Sequence, residues 1–363
     1  MRFIDEFRDA GLARKLAHKI AATSTKHARL MEFCGGHTVA IMRNGIRQLL
    51  PPTIEMLSGP GCPVCVTANR DIDKAIALAG LAGVTITTFG DMLKVPGSYS
   101  SLQSARAEGG DIRIVYSTQD ALQIARDNPQ QAVVFIGVGF ETTAPTIAAA
   151  VTQAEKENIR NFYILCRLKM TPPAMKALLD LGEIKLNGII CPGHVTTIIG
   201  THPYEAYANQ YGVACVVAGF EPVDILQAVE MLVQQIESGH PRVEIAYTRG
   251  VKPGGNLIAL ELMHKVFDTA DASWRGIGTI PESGLRLKEK YARFDADPQF
   301  EVELPPVKEP AGCRCGEILR GVIRPADCKL FKIVCTPENP IGPCMVSSEG
   351  SCAAYYQYGD FDG

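Results

Sequence analysis

Leu30-Met31-Glu32-Phe33-Cys34-Gly35-Gly36-His37-Thr38 is the stretch from which the rest of the chain can be read. The apolar run Leu30 to Phe33 has the length of a short buried strand. It stops at a cysteine, turns through two glycines and restarts as a helical pattern, with Val39, Met42, Ile46, Leu49 and Leu50 on one face. In an α/β fold, ligands sit where a strand ends in a Gly-rich turn that opens a helix. Here that place carries a thiol and an imidazole three residues apart.

The same strand–turn–helix unit recurs outward from this stretch. Ile54 to Leu57 is followed by Gly59-Pro60-Gly61-Cys62-Pro63-Val64-Cys65 and a helical segment from about Val66 to Leu78. Val84 to Phe89, Ile112 to Tyr116, Ala132 to Val138, Phe162 to Cys166, Gly188 to Cys191 and Val213 to Ala218 read as further buried strands. Residues 1–29 read as a leading amphipathic helix with Leu12, Leu16 and Ile20 on one side. Two turns recur: Cys191-Pro192-Gly193-His194 echoes Cys34 to His37, and Gly219-Phe220-Glu221 echoes Gly139-Phe140-Glu141. From about residue 242 the pattern changes to a short strand, a helix over 257–267, and then polar, Pro-rich sequence to about Pro310. The fold class expected is α/β: two similar Rossmann-like domains with small parallel sheets, over 1–125 and 126–240, then a cysteine-rich domain over 241–363.

A length of 363 residues suits two or three domains, and 46% hydrophobic residues with 34 glycines and 23 prolines suits an α/β protein rich in turns. The formal charge of −3 gives no reason to expect nucleic acid as a partner. No run approaches the roughly 18 apolar residues of a membrane span. The start, Met1-Arg2-Phe3-Ile4-Asp5-Glu6-Phe7, puts acidic residues where a signal peptide needs an apolar region. The expected location is the cytoplasm, where twelve cysteines are poor candidates for structural disulfides.

The cysteines cluster. Cys34, Cys62 and Cys65 come early; Cys166, Cys191 and Cys215 lie in apolar middle segments; Cys313, Cys315, Cys328, Cys335, Cys344 and Cys352 fill the tail. A thiolate at a helix N-terminus is stabilised by the helix dipole and free N–H groups, which favours reactivity or soft-metal binding at Cys34. The plainer alternative is a buried strand-end cysteine with a capping histidine. Cys62-Pro63-Val64-Cys65 is a redox-dithiol pattern, or half of a zinc site. In the tail, well-separated thiols suit an iron–sulfur cluster better than zinc, which prefers two close Cys-x-x-Cys pairs. Cys166 and Cys215 read as inert core thiols, whereas Cys191 and His194 share the turn of Cys34. Gly137-Val138-Gly139 lacks the third glycine of a dinucleotide fingerprint, so nucleotide binding is not expected.

Taken together, Cys34-Gly35-Gly36-His37-Thr38, Gly59-Pro60-Gly61-Cys62-Pro63-Val64-Cys65, Gly139-Phe140-Glu141-Thr142-Thr143, Pro192-Gly193-His194-Val195 and Met345-Val346-Ser347-Ser348-Glu349-Gly350 resemble the HypD family of NiFe-hydrogenase maturation proteins. The resemblance runs from the first residues to the tail. It implies a redox-active scaffold, rather than a conventional turnover enzyme, on which the Fe(CN)2CO unit of the hydrogenase site is assembled. It further implies a 4Fe–4S cluster in the tail, held by Cys315, Cys328, Cys335 and Cys352, with Cys313 and Cys344 as two extra thiols. Cys34 corresponds to the iron-binding thiol, shared with a cysteine of the small chaperone HypC; Cys62 and Cys65 correspond to the redox dithiol, and HypE is the partner that delivers cyanide. On this reading His37 orients or protonates groups at the iron. Two competing readings are a thiol–disulfide oxidoreductase with a structural cluster and a zinc-stapled adaptor.

Overall fold

The computed structural model describes residues 4–359. Met1, Arg2 and Phe3, quoted above in the opening stretch and counted there with the first helix, lie outside them. The leading helix itself spans Ala10–Thr23, capped by the Asp9 carboxylate on the Leu12 N–H, with Ile20 buried and Leu12 exposed.

The described residues form eleven strands, in chain order β1 (Ala28–Glu32), β2 (Ile54–Ser58), β3 (Val84–Thr88), β4 (Asp111–Ile114), β5 (Ala132–Gly139), β6 (Phe162–Leu168), β7 (Gly188–Pro192), β8 (Ala214–Ala218), β9 (Val243–Ile245), β10 (Phe267–Trp274) and β11 (Gly278–Leu287). They form a five-stranded parallel sheet of order β2-β1-β7-β8-β9, a four-stranded parallel sheet of order β4-β3-β5-β6, and an antiparallel ribbon of β10 with β11. Helices cover both parallel sheets, so the central strands β3, β5, β7 and β8 are buried on both faces rather than alternating. In β5 the run Val133 to Ile136 is buried, and each such side chain contributes about 1.5–3 kcal/mol relative to exposure.

The two sheets are not built from residues 1–125 and 126–240 in turn. β1 pairs with β7, Leu30 opposite Gly188, and the Arg29 N–H donates to Asn187 Oδ1 across 158 residues of chain. The chain therefore starts the five-stranded sheet, leaves to build the four-stranded one, and returns to finish the first. The physical reason is that parallel neighbours need not be consecutive, and apolar runs say nothing about which run they join. The two Cys/Gly/His turns, at Cys34 and at Cys191 to His194, thus follow adjacent strands of one sheet. The two Gly-Phe-Glu turns divide between the sheets.

The expected third domain, 241–363, is also distributed. β9 is the last strand of the five-stranded sheet, and the helix Leu257–Val266 packs on the helix Ala144–Lys156. The segment after Trp274, expected as irregular polar sequence, continues as a ribbon. Only Phe267 and Trp274 of β10 are buried, so it lacks the apolar alternation that announces a strand. The tail shares one core with Cys62, Cys65, Val66 and Ile72 instead of forming a separate layer. Among the described residues, no helix is long and apolar enough to cross a membrane.

In each parallel sheet the strand order reverses once, between β1 and β7 and between β3 and β5. A crevice opens outside the carboxyl ends of the strands at such a reversal. Cys34 lies at the first.

Candidate functional site

Cys34 caps the helix Gly35–Arg43, its carbonyl accepting the N–H groups of His37 at 2.8 Å and Thr38 at 3.1 Å. Beneath it, the buried Glu32 carboxyl accepts the Cys34 N–H at 2.9 Å and the Thr38 hydroxyl, fixing both ends of the turn. Burial pushes the Glu32 carboxyl up to about 8 against the pull of these donors. Cys34 as a residue is half-buried, and burial first, then the Glu349 and Glu32 carboxyls, push its thiol up to about 12. The backbone N–H groups of His37 and Gly36 oppose that shift and lose. The helix start does not by itself make a thiolate here, because two carboxylates and an apolar setting outweigh it. A positive ion brought to Cys34 would reverse the balance.

The second motif crosses directly under the first. Gly61 accepts the Gly35 N–H at 3.0 Å, and a Cβ on Gly61 would overlap the Cys34 backbone. That close approach is what the Gly-Pro-Gly sequence permits. Cys62 then caps the short helix Pro63–Val66, its sulfur accepting the Cys65 N–H at 3.2 Å. Both thiols are free, and both are buried. Burial, and next the Cys62 sulfur, raise the Cys65 thiol well above its ordinary range. The Cys65 thiol points toward the tail, 3.8 Å from the Pro343 carbonyl.

The tail closes the site from above. Glu349 lies on Gly35, and Ser347 donates to Asp91, at the end of β3, at 3.0 Å. All six tail cysteines line one apolar pocket with Ile318, Leu330, Phe331 and Met345. Cys315 and Cys344 are joined in a disulfide, Cα to Cα 6.4 Å. Cys313, Cys328, Cys335 and Cys352 are free. Burial and the Cys335, Cys313 and Cys328 sulfurs together push the Cys352 thiol far up, which marks these four as neighbours. This departs from the expected set at one position: Cys315 is tied to Cys344, and Cys313 stands in its place among the free thiols. A sulfur in a disulfide has no thiolate to offer a metal. Among the described residues, no three His, Cys, Asp or Glu side chains are drawn together tightly enough to hold a single ion. A soft, wholly sulfur-donating and apolar lining fits an iron–sulfur cluster in donor chemistry.

His37 is fully buried, and its Nε2 faces two acceptors, the carbonyls of Gly219 at 3.0 Å and Ala218 at 3.3 Å. The ring is therefore neutral with its proton on Nε2, and burial lowers its pKa to about 4. It braces the turn and is not poised to give a proton at neutral pH. The ring stacks on Phe220 at 4.6 Å, and His194 stacks on the other face of Phe220 at 3.8 Å. The two turns flanking the β1–β7 crevice are thus locked through one phenyl ring. Cys191 points away from this site into the core beside Cys215, where burial raises its thiol well above the ordinary range.

Sequence reasoning missed Glu32, Phe220 and Glu349 as site residues. A lone acid inside an apolar strand was the available signal for Glu32. Phe220 and Glu349 come from turns whose spatial partners the sequence does not specify.

A family model described as "HypD: Hydrogenase formation hypA family" matches residues 11–359. The chain is 48% identical to hydrogenase maturation factor HypD2 of Bradyrhizobium diazoefficiens, over 99% of this chain and 98% of that one. It is likewise 48% identical to hydrogenase maturation factor HypD of Azotobacter vinelandii, over 99% and 97%. Similarity extends to a putative hydrogenase expression/formation protein of Methanocaldococcus jannaschii, 45% identical over 96% of this chain and 98% of that relative.

Proposed function

The chain belongs to the HypD family of hydrogenase maturation factors, and from that premise we propose that it is the scaffold on which the Fe(CN)2CO unit of a NiFe hydrogenase is assembled. The observation that carries this reading is the convergence of three sulfur groups: the Cys34 turn rests on Gly61, Cys65 reaches Pro343, and Glu349 covers Gly35. A soft donor such as the Cys34 thiolate suits a low-spin iron that bears cyanide and CO. Iron is cargo here. One cysteine cannot hold it alone, so a second ligand comes from a docking partner, the role the resemblance gives to HypC, with HypE supplying cyanide.

Each part of the chain then has a task. Glu32 and the helix start hold the Cys34 backbone still at the mouth of the crevice. His37 and His194, stacked on Phe220, set the width of the crevice. Cys62 and Cys65 form a dithiol able to release two electrons and two protons on closing to a disulfide. Cys328, Cys335 and Cys352, with Cys313 as the fourth thiolate in the form described here, would hold a 4Fe–4S cluster, which supplies one-electron transfer when bound. The contact of Cys65 with Pro343, the residue before Cys344, keeps the dithiol against the wall of that pocket.

The test is infrared spectroscopy in the cyanide and CO stretching region, on wild-type protein copurified with its chaperone and on Cys34→Ser. Ser is nearly isosteric but hard, so the fold and tail iron persist while iron binding at residue 34 is lost. Bands in the wild type and none in the variant, at equal cluster content, are expected. Equal bands in both would move the iron away from Cys34 and remove the scaffold reading built on it.

A further inference from the structure

Residues 329–334 join two of the tail thiols, Cys328 and Cys335, along one wall of the sulfur pocket. Leu330 and Phe331 line that pocket, while Lys329, Lys332, Ile333 and Val334 are exposed to water. A single turn of chain therefore separates the pocket from solvent here. The turn is also rigid. The Leu330 carbonyl accepts the N–H groups of Ile333, Val334 and Cys335 at 3.2, 3.2 and 2.9 Å, and the Cys335 carbonyl accepts that of Lys332 at 3.2 Å. The Asn339 amide donates to the Val334 carbonyl at 2.9 Å. Lys332 is held at φ +61°, a left-handed conformation that a residue with a side chain rarely takes. Phe331 packs edge-on against Tyr356 of the helix Ser351–Tyr358, with ring centroids 6.3 Å apart.

On this fixed turn Ile333 is 77% exposed and Val334 45%. An apolar centre flanked by Lys329 and Lys332 has the composition of a docking face, and its hydrogen bonds keep the two aliphatic side chains from folding inward. The acids of the same stretch do not cancel the lysines at its tip. Asp327 accepts the Arg324 backbone N–H at 2.8 Å, and Glu338 lies beyond Cys335. At the Cys313 side of the pocket, by contrast, Arg314 and Glu317 are paired with each other. The chain as a whole carries a formal charge of −3, so an acidic partner is repelled overall and drawn to these two lysines.

We propose that this turn is the docking face for a small acidic one-electron carrier protein, given that the tail holds the cluster assigned to it above. A dithiol and a cluster that cycle between redox states need an outside source of electrons. Electron transfer weakens steeply with distance, and a carrier seated on Ile333 and Val334 has only this turn between itself and the pocket. One electron leaves the reduced carrier and enters the cluster; no proton moves and no bond is made or broken. Redox encounters of this kind are small, below about 1,200 Å² in total, which suits a face built on one turn.

The experiment uses the full chain, purified anaerobically with its native metal content, and plant-type ferredoxin, a small acidic 2Fe–2S carrier, as the probe. Calorimetric titration with the oxidised probe is expected to show saturable binding that weakens as salt rises. Stopped flow follows reduction of the tail cluster by reduced ferredoxin and, separately, by dithionite, which needs no docking face. Lys329→Glu combined with Lys332→Glu, and Ile333→Asp by itself, should each weaken binding and slow reduction by ferredoxin at least about tenfold. Dithionite should reduce every variant at the wild-type rate, and Lys15→Glu, on the leading helix, should change nothing. A wild type whose cluster dithionite reduces, but which neither binds ferredoxin nor takes its electron, overturns the docking face alone. Equal binding or equal rates in wild type and variants do the same. Reduction by dithionite slowed as much as reduction by ferredoxin would make the turn a support of the cluster and not a docking face. A wild type without acid-labile sulfide removes the cluster reading itself. A dimeric wild type that Ile333→Asp turns monomeric would give the face to a second copy of the chain and overturn the assignment.

Discussion

At the scale of single residues, the carboxyls buried around the two crevices hold protons that water would remove. Glu141, at the end of β5, is buried and accepts both the N–H and the hydroxyl of Thr171, at 2.8 and 2.9 Å. Burial outweighs these donors and raises its pKa from the ordinary 4.5 to about 7. Between those values the folded state binds a proton that the unfolded state does not, so the slope of stability with pH is negative. The contribution of Glu141 is complete below pH 4.5 and is lost as pH rises through 7. Gln mimics the protonated acid, its carbonyl facing the Thr171 N–H and its amide facing the hydroxyl. Urea denaturation at pH 5 and pH 8 should therefore show Glu141→Gln losing less stability on alkalinisation than wild type, by about 2–3 kcal/mol. Glu32 moves in the same direction in both proteins and cancels in the comparison. Equal losses in the two proteins would mean that Glu141 is ionised in the fold at both pH values.

At the scale of elements, the tail is a strap held by sulfur, and its ligand set can be separated by substitution. Cys328→Ser, Cys335→Ser and Cys352→Ser are expected to lose cluster absorbance and acid-labile sulfide, and Cys313→Ser to join them. Cys315→Ser and Cys344→Ser should keep both, since those sulfurs are bonded to each other. Visible spectra and iron and sulfide content of anaerobic protein check this; loss in Cys315→Ser with retention in Cys313→Ser would restore the set implied by family resemblance. What could be read in advance differs among elements for physical reasons. Strands β3, β5, β7 and β8 are buried on both faces, so each is a run without exposed polar positions in the sequence, whereas the edge strand β4 leaves Ile114 exposed. β10 and β11 are stabilised by pairing with each other and by Trp274, whose indole donates to Ser283 at 2.8 Å and stacks on Phe140 at 5.9 Å, and neither leaves a periodic pattern. The Cys34 turn was legible because a glycine pair after an apolar run has few other meanings. Its dependence on Phe220 and Glu349 was not, because those contacts span most of the chain.

At the scale of the whole molecule, the five-stranded sheet is completed only when β1 and β2 meet β7, across 158 residues. This has a consequence for how the protein comes into being. Bringing distant strands together costs closure entropy before any contact repays it, and a parallel sheet gains little until its central pair has formed. On the ribosome, the segment bearing Cys34, Cys62 and Cys65 emerges early and must wait, its apolar strands unpaired, while the four-stranded sheet, contiguous in sequence from β3 to β6, can assemble first. Pulse-labelling hydrogen exchange during refolding is expected to protect the amides of β3 and β5 before those of β1 and β7; simultaneous protection, or the reverse order, would contradict it. The thiols are born early and sheltered late, so a nascent chain exposes its reactive sulfurs to oxidant for as long as synthesis takes to reach Gly188.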